Sequence, residues 1–119
     1  MTARGGYPRG AVVLADLDPV TGSEQGRKRP CIVLSNLSTV RASGSVPLYF
    51  VVPLTTANKL RGVLAPQLKA VPGALPADST ALVMHARSID PARIVRQWGM
   101  VGEADVKVLQ AAVRLLIEG

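Results

Sequence analysis

The sequence contains few cysteine, histidine and aromatic residues. Its 119 residues include one cysteine, one histidine, one tryptophan, two tyrosines and one phenylalanine. The single cysteine, Cys31, excludes an intrachain disulfide and a cysteine-based metal cage, and its apolar neighbours predict a small core residue. So few aromatic rings argue against the stacking platform by which non-specific single-strand binders hold nucleic acid.

Negative charge and long apolar runs are also scarce. Fourteen basic residues against eight acidic ones give a formal net charge of +6. This excess is typical of proteins that meet a polyanion, whether nucleic acid, an acidic membrane face or an acidic protein. No stretch approaches the roughly 18 apolar residues that cross a bilayer, and residues 1–10 lack the apolar stretch of a signal peptide. We therefore expect a soluble cytoplasmic protein without a membrane partner.

The length and the apolar content predict one domain. With 48% apolar residues, the chain can bury a core without disulfide or metal support. We expect a flexible N-terminal arm over residues 1–8 and a single domain over residues 9–119. Alternation and turn signals predict strands, with polar loops at 19–29, 37–46 and 55–62. The expected strands are 10–18, 31–36 (opened by Pro30), 48–52 (ended by Pro53), 63–68, 79–84 and 93–101.

The C-terminal segment is the one convincing helix. Glu103 and Asp105 suit the positive end of its dipole. An apolar face recurs at three- and four-residue spacing, comprising Val106, Leu109, Val113, Leu116 and Ile117. We expect this face to join the core, with an exposed edge available to a dimer, and Trp98 to lie in the core or at an interface. The predicted fold class is mainly β with helical additions, a small barrel or strongly curved sheet with a C-terminal helix.

The segment from Gly22 to Pro30 is unusual for a hairpin loop. It offers glycine-flanked backbone N–H groups, a hydroxyl, a carboxylate, an amide and three consecutive cations. Arginine forks and close backbone approach both suit phosphate oxygens. A loop charged only for solubility would have a similar composition. A Walker A loop is excluded because no Gly-Lys-Ser/Thr ending is present.

Three ordered motifs resemble the MazF/PemK family. The first is Arg9–Pro19 followed by Gly22-Ser23-Glu24-Gln25 and Arg29-Pro30; the second is Val52-Pro53-Leu54-Thr55; the third is Leu82–Asp90. One such match would be weak, but the ordered set with the terminal helix covers about residues 9–117. The resemblance implies an SH3-like β-barrel of the CcdB/PemK type, usually a homodimer. It also implies an mRNA interferase that cleaves single-stranded RNA at short sequences without a metal or cofactor.

The resemblance assigns roles to individual residues. Arg29 and Thr55 correspond to the family's catalytic pair. The remaining residues expected to contact RNA are Gly22, Ser23, Glu24, Gln25, Arg27, Lys28, Thr56 and Arg87. Asp16 and Asp18 point the same way from a strand but lack a third ligand, so we expect no metal there.

Metal-free cleavage would use the substrate's own 2′-OH, leaving a 2′,3′-cyclic phosphate and a 5′-OH. A fixed cation at position 29 would stabilise charge on the phosphoryl oxygens. A guanidinium stays protonated near neutrality and is a poor general base. Thr55 would donate a hydrogen bond to a phosphoryl or leaving oxygen. Neither residue is a comfortable proton acceptor.

His85 departs from the family pattern, which more often has glutamine there. Histidine changes charge near neutral pH, so His85 would shuttle a proton or read a base edge. A lone histidine is equally well structural or simply exposed, and both interpretations stay open. The departure also weakens any transfer of the family's cleavage sequence.

Two alternatives compete with the ribonuclease toxin and its acidic, MazE-like antitoxin. One is a non-enzymatic CcdB-like toxin that binds DNA gyrase. The other is a catalytically silent barrel that binds RNA or a partner. Intact Arg29-Pro30 and Pro53-Leu54-Thr55 motifs favour the ribonuclease, because a binding protein does not need them.

Overall fold

The computed structural model describes residues 6–17, 28–44, 47–57 and 60–119. Within these ranges lie seven strands, two α-helices and two 3-10 turns. The strands are β1 (Ala11–Asp16), β2 (Lys28–Val33), β3 (Tyr49–Thr55), β4 (Gln67–Leu68), β5 (Ser79–Ala81), β6 (Arg87–Ile89) and β7 (Ile94–Met100). The helices are α1 (Leu37–Ala42) and α2 (Glu103–Glu118), and the 3-10 turns are Val83–His85 and Pro91–Arg93.

The strands form one antiparallel sheet in the order β4-β5-β3-β2-β1-β7, with β6 paired to the other end of β3. Successive side chains point to opposite faces of a strand, and apolar residues cover both faces here. Val12, Ile32 and Val52 belong to one core, which α2 covers. Cys31 and Val51 belong to a second core on the other face. The predicted burial of Cys31 is confirmed, since its side chain is fully inaccessible.

Helix α2 confirms the predicted C-terminal helix but not all of its apolar face. Gly102 precedes it, and Glu103 and Asp105 lie in its first turn. Val106 and Leu109 are buried together with Ala112, and Val113 packs against them. The prediction was wrong for Leu116 and Ile117, which are 43% and 74% exposed. The last turn extends past the edge of the core, so helical spacing continues there without burial.

Residues 37–46 were expected to form a polar loop, but they contain α1. Its N-cap is Asn36, whose side chain accepts a hydrogen bond from the Thr39 N–H at 3.0 Å, a favoured capping interaction. No residue of this six-residue helix is fully buried. The helix therefore leaves no periodic apolar signal in the sequence.

Proline does not bound the strands as expected. Pro30 lies inside β2 opposite Leu14, and Pro53 lies inside β3 opposite Cys31. Ladder hydrogen bonds alternate along an antiparallel strand, so a proline fits at positions where its missing N–H has no partner to lose. Strand β2 consequently begins at Lys28, three residues before the predicted start, and β3 continues to Thr55.

The remaining boundaries also shift. The strand expected over 63–68 is only β4, and the one expected over 79–84 ends at Ala81 before a 3-10 turn. The expected N-terminal arm is too long, because Tyr7 is buried against Tyr49 with ring centroids 5.4 Å apart. Aromatic pairs of this edge-to-face kind contribute to packing. Residues 1–5 lie outside the described ranges.

The turn after Val71 packs directly on β7 at Gly99. A Cβ atom added to Gly99 would collide with the Gly73 carbonyl oxygen and would lie 2.8 Å from the Cβ of Ala74. Real Cβ atoms do not approach this closely. The atoms that the Cβ would meet include backbone atoms of Gly73 and Ala74, so the turn has little room to relax. The absence of a side chain at Gly99 therefore allows the turn to contact the far edge of the sheet.

We expect Gly99→Ala to lower the free energy of unfolding by about 3 kcal/mol, the upper range for an overpacked core position. Urea denaturation measures the change. Gly102→Ala is the matched control, because the space around its Cβ position is open; we expect at most about 1 kcal/mol from the altered N-cap. Equal effects at the two glycines would contradict the packing argument.

Candidate active site

Arg29 and Thr55 lie at the end of the sheet where β2 begins and β3 ends. The β2–β3 register pairs Val33 with Val51 and Cys31 with Pro53. Continued by two residues, the same register places Arg29 opposite Thr55. Directly opposed side chains leave the same face of a sheet, so the expected catalytic pair is brought together. Both side chains are half-buried.

Two cavities meet at this pair. The His85 cavity, of about 350 Å³, is lined by Leu17, Arg29, Pro53, Thr55, Ala57, Leu60, Leu82, His85 and Arg87. The Lys28 cavity, of about 270 Å³, is lined by Lys28, Arg29, Pro30, Leu54, Thr55 and Thr56. Arg29 and Thr55 line both, so they stand between two recesses at the rim of the sheet. A ligand that fills both recesses would pass directly over the pair.

The Thr55 hydroxyl has a defined direction. Its Oγ1 accepts a hydrogen bond from the Ala57 N–H at 3.1 Å, which closes a local turn after β3. A hydroxyl has one hydrogen to donate and two lone pairs. Because one lone pair already faces the protein, the hydroxyl hydrogen is the part suited to an oxygen of a bound anion.

Arg87 lines the His85 cavity and also anchors its wall. Its Nη1 donates a hydrogen bond to the Leu17 carbonyl oxygen at 3.0 Å. Nearby, Arg93 Nη1 donates to the Asp16 carbonyl oxygen at 3.1 Å. Two arginines thus fix the end of β1, where the chain leaves the sheet. A guanidinium has five N–H donors, so this anchoring leaves Arg87 with further donors.

The thiol of Cys31 is buried close enough to the site for the charges of Arg29 and Arg87 to affect its pKa. Its buried Sγ–H donates to the Arg29 carbonyl oxygen at 3.6 Å. Burial raises the pKa of the Cys31 thiol to about 12, and the charges of Arg29 and Arg87 oppose that rise. Both guanidinium groups therefore act on the same point of the structure. In the described ranges the one ion pair is Lys107–Glu103 on α2, so the cations of the site are not neutralised by described carboxylates.

His85 is exposed and ends the 3-10 turn Val83–His85, with its backbone N–H donating to the Leu82 carbonyl oxygen at 2.9 Å. It lines the cavity that Arg29, Thr55 and Arg87 also line. A short turn next to the sheet therefore places the imidazole beside Arg29 and Thr55, the expected catalytic pair. This position fits either role considered for His85, proton transfer or base recognition.

Six of the residues expected from the sequence are gathered at this rim: Lys28, Arg29, Thr55, Thr56, His85 and Arg87. Gly22, Ser23, Glu24, Gln25 and Arg27 lie outside the described residues. Sequence reasoning missed Leu17 and Pro53 as walls of the His85 cavity. The register of β3 against β2 would have located Pro53, but no sequence signal marked Leu17.

The described residues contain no group of three or more histidine, cysteine, aspartate or glutamate side chains that could hold a metal ion. They also contain no helix of the length and apolarity needed to cross a membrane.

Comparison with known sequences shows relatives along nearly the whole chain. Residues 8–117 match the family described as PemK-like, MazF-like toxin of type II toxin–antitoxin systems. Endoribonuclease MazF9 of Mycobacterium tuberculosis is 31% identical over 115 residues, covering 92% of this chain and 95% of its own. Endoribonuclease MazF of Staphylococcus saprophyticus is 30% identical over 106 residues, with 88% and 86% covered.

Solved structures share the fold. MazF of Deinococcus radiodurans superimposes with a TM-score of 0.73 at 24% identity, covering 95% of this chain and 97% of its own. A chain from a MazE–MazF structure of the same organism gives 0.75 at 24% identity, with 94% and 96% covered. M. tuberculosis toxin MazF-mt6 gives 0.68 at 22% identity, with 91% and 96% covered. These likenesses confirm the predicted fold class of a small mainly β domain with a C-terminal helix.

The raised pKa of Cys31 generates a prediction of its reactivity. The folded pKa of about 12 exceeds the ordinary 9.0, so at pH 8 the folded thiol holds about 1,000-fold less thiolate than the unfolded one. We expect Ellman's reagent to react with native protein at least that much more slowly than with protein in guanidinium chloride.

The same shift affects stability above pH 9. The unfolded state releases the thiol proton near pH 9 while the folded state retains it to about pH 12, so stability is complete below pH 9 and falls as pH rises through that window. The free-energy difference between wild type and Cys31→Ala should shrink in parallel.

In the Ellman's reagent assay, a native thiol that reacts as fast as the unfolded one would contradict the burial of Cys31.

Proposed function

The chain belongs to the PemK-like, MazF-like family of type II toxin–antitoxin toxins, and we propose that it is a metal-independent, sequence-specific endoribonuclease for single-stranded RNA. The family match extends over residues 8–117, which supports one toxin domain over residues 9–119. The relatives at 30% and 31% identity are both named endoribonucleases. The RNA would be messenger RNA in the cytoplasm.

One observation carries the proposal: Arg29 and Thr55 both line the two cavities at the rim of the sheet, where continuation of the β2–β3 register places them opposite each other. A single strand has a nucleotide on each side of every phosphate. If one nucleotide occupies the His85 cavity and the next the Lys28 cavity, the phosphate between them lies over the pair. The arrangement fits cleavage within a strand better than attack at a free end.

The pair can do most of the phosphate chemistry by electrostatics. In the reaction the ribose 2′-O forms a bond to phosphorus, the bond to the 5′-oxygen breaks, and the 2′ proton is removed while the leaving oxygen gains one. Charge develops on the phosphoryl oxygens, where the Arg29 guanidinium stabilises it. The Thr55 hydroxyl, oriented by Ala57, donates to a phosphoryl or leaving oxygen. The products are a 2′,3′-cyclic phosphate and a 5′-OH.

The surrounding cations hold the strand. Lys28 and Thr56 line one cavity and Arg87 the other, so phosphates on both sides of the scissile one meet a donor. Phosphate contacts position a nucleic acid but do not read its sequence. We assign base recognition to hydrogen bonds with splayed bases, made by the segment Gly22-Ser23-Glu24-Gln25 and assisted by Arg27.

Histidine is the side chain that most often transfers protons in enzymes, and His85 lines a cavity together with Arg29 and Thr55. From the His85 cavity it would accept the 2′-OH proton or return one to the leaving oxygen. Arg29 cannot do this near neutrality, because its guanidinium stays protonated. We therefore give His85 the acid–base role and Arg29 the stabilising role.

The partners follow from charge and from the family. The basic site would be covered by an acidic tail of a cognate MazE-like antitoxin, since one similar solved chain comes from a MazE–MazF structure. The exposed apolar residues Val108, Leu115 and Ile117 on α2 support a homodimer. No cofactor is required by the chemistry above.

The direct test is incubation of the protein with a long single-stranded RNA in excess EDTA. We expect discrete fragments whose 5′ ends accept phosphate from polynucleotide kinase without prior phosphatase treatment, because the proposed reaction leaves a 5′-OH. Intact RNA with correctly folded protein would contradict the proposal. Cleavage that needs added Mg²⁺ would contradict the metal-independent mechanism.

Variants of the pair are the controls for this assay. Arg29→Ala should lose about 1,000-fold in kcat/KM, and Thr55→Val about 100-fold, from the loss of one preorganised stabilising group. Thr55→Ser keeps the hydroxyl and should stay within about tenfold of wild type. Arg114→Ala removes an exposed arginine from α2 and should cleave normally.

His85→Gln tests the acid–base role. The variant should lose about 100-fold in kcat and also lose one limb of the wild-type pH–rate profile. The folded structure should be unaffected because His85 is exposed. An unchanged pH profile would exclude proton transfer by His85, and a changed cleavage sequence with an unchanged profile would assign it to base recognition.

A further inference from the structure

A third cavity lies away from the catalytic pair, between the Val71–Pro76 turn and residues 96–98 of β7. We propose that this Trp98 cavity is a second RNA subsite, which holds a nucleotide of the same strand that is cleaved at Arg29 and Thr55. The inference rests on the proposed function. It adds a binding determinant some distance from the scissile phosphate.

The size and the walls of the cavity suit a nucleobase. Its volume is about 620 Å³, within the range of about 300–1,000 Å³ typical of small-molecule sites. The turn contributes apolar walls, including Val71 and Leu75, and β7 contributes the half-buried indole of Trp98. An indole face stacks on any base, and such stacking is sequence-tolerant.

A cation gives the cavity its preference for a nucleotide. Arg96 lines it and is exposed, so its guanidinium can bind the phosphate of a nucleotide whose base lies on Trp98.

The sheet connects this cavity with the catalytic rim. Leu14 on β1 pairs with Pro30 on one side and with Arg96 on the other. The side chains of such a row leave the same face of the sheet. Since neighbouring strands are about 4.8 Å apart, Arg96 lies about 10 Å from Pro30. This row leaves the face opposite to that of Arg29 and Thr55, but Pro30 and Arg29 both line the Lys28 cavity. A strand that leaves the pair through this cavity would pass around the end of the sheet to reach Arg96.

A protein partner would use the same cavity differently. A second copy of this chain would cover the apolar turn but would have to desolvate Arg96, a costly step unless a carboxylate meets it. An RNA strand supplies both a base and a phosphate, and it is continuous with the strand already held at the rim. Charge and continuity therefore favour RNA, and a chain–chain contact becomes an outcome of the test.

The test compares two RNAs that share the mapped cleavage site, one of about 4 and one of about 12 nucleotides, both within the usual range of single-strand site sizes. For Arg96→Ala we expect KM to rise about tenfold on the longer RNA, with kcat unchanged. On the shorter RNA both constants should match wild type. The slope of log(1/KM) against log[salt] on the longer RNA should become shallower by about 0.7, the value for one phosphate contact.

Arg114→Ala is the matched control, because it removes one exposed arginine that lines a different cavity with Leu34 and Phe50. Equal KM values for the two variants on the longer RNA would overturn the subsite. A rise in KM on both RNAs, accompanied by conversion of an oligomer to a monomer in size-exclusion chromatography, would assign the cavity to a chain–chain contact instead.

A second readout does not depend on cleavage. Trp98 is the single tryptophan of the chain, so fluorescence excited selectively in tryptophan, and not in the two tyrosines, reports this cavity. The probes are 2′-O-methyl versions of the same RNAs, or of mixed sequence if no cleavage is found; the modification blocks the attacking 2′-oxygen. The longer probe should quench wild type and the shorter one should not. If RNA is cleaved without quenching, the subsite fails alone; if RNA quenches Trp98 but is not cleaved, the proposed nuclease activity fails alone.

Discussion

The pairing of β2 with β3 is the constraint on which the rest of the structure depends. Cys31, Val33 and Val51 are buried in the core on one face of the sheet. Ile32, which pairs with Val52, is buried in the core on the other face. A slip of one residue would exchange the faces of every side chain. It would bring Cys31 and Val33 against the wrong core, and it would separate Arg29 from Thr55. The stability of the apolar ladder therefore fixes the geometry of the polar pair at its end.

The same burial sets the electrostatic character of the site. Cys31 lies two residues from Arg29 on β2, and burial raises the pKa of its thiol. The protein interior next to Arg29 therefore solvates charge poorly. A cation at the edge of such a region interacts more strongly with an anion than it would in water. Arg29 and Arg87 are held there by strands and not by flexible loops, so little rearrangement is needed when a phosphate arrives. The cores that stabilise the fold therefore also strengthen the electrostatic attraction between the cations at the rim and an anion that binds there.

The sequence predicted what is local or strongly patterned. The spacing of Val106 and Leu109 predicted α2, and the apolar run around Cys31 predicted a buried strand. The pairing of Arg29 with Thr55 came from family resemblance, because no local pattern relates residues so far apart. Helix α1 was missed since it buries no residue, and Leu116 and Ile117 were misplaced because spacing does not show where a core ends. The Trp98 cavity depends on the contact of Gly99 with the Val71–Pro76 turn, which only the folded chain brings together.

Whether a residue lies on a strand or in a turn indicates which positions of the proposed site tolerate substitution. Arg29 and Thr55 belong to the sheet, where Arg29 pairs with Ala15 and Thr55 pairs with Thr80. His85 ends a 3-10 turn and is exposed, so a different side chain there disturbs no core contact. Sites on regular elements are more precise, whereas connecting segments tolerate variation. Histidine in place of the commoner glutamine would therefore alter the proposed proton transfer or base recognition, while the strand register that positions Arg29 and Thr55 stays intact.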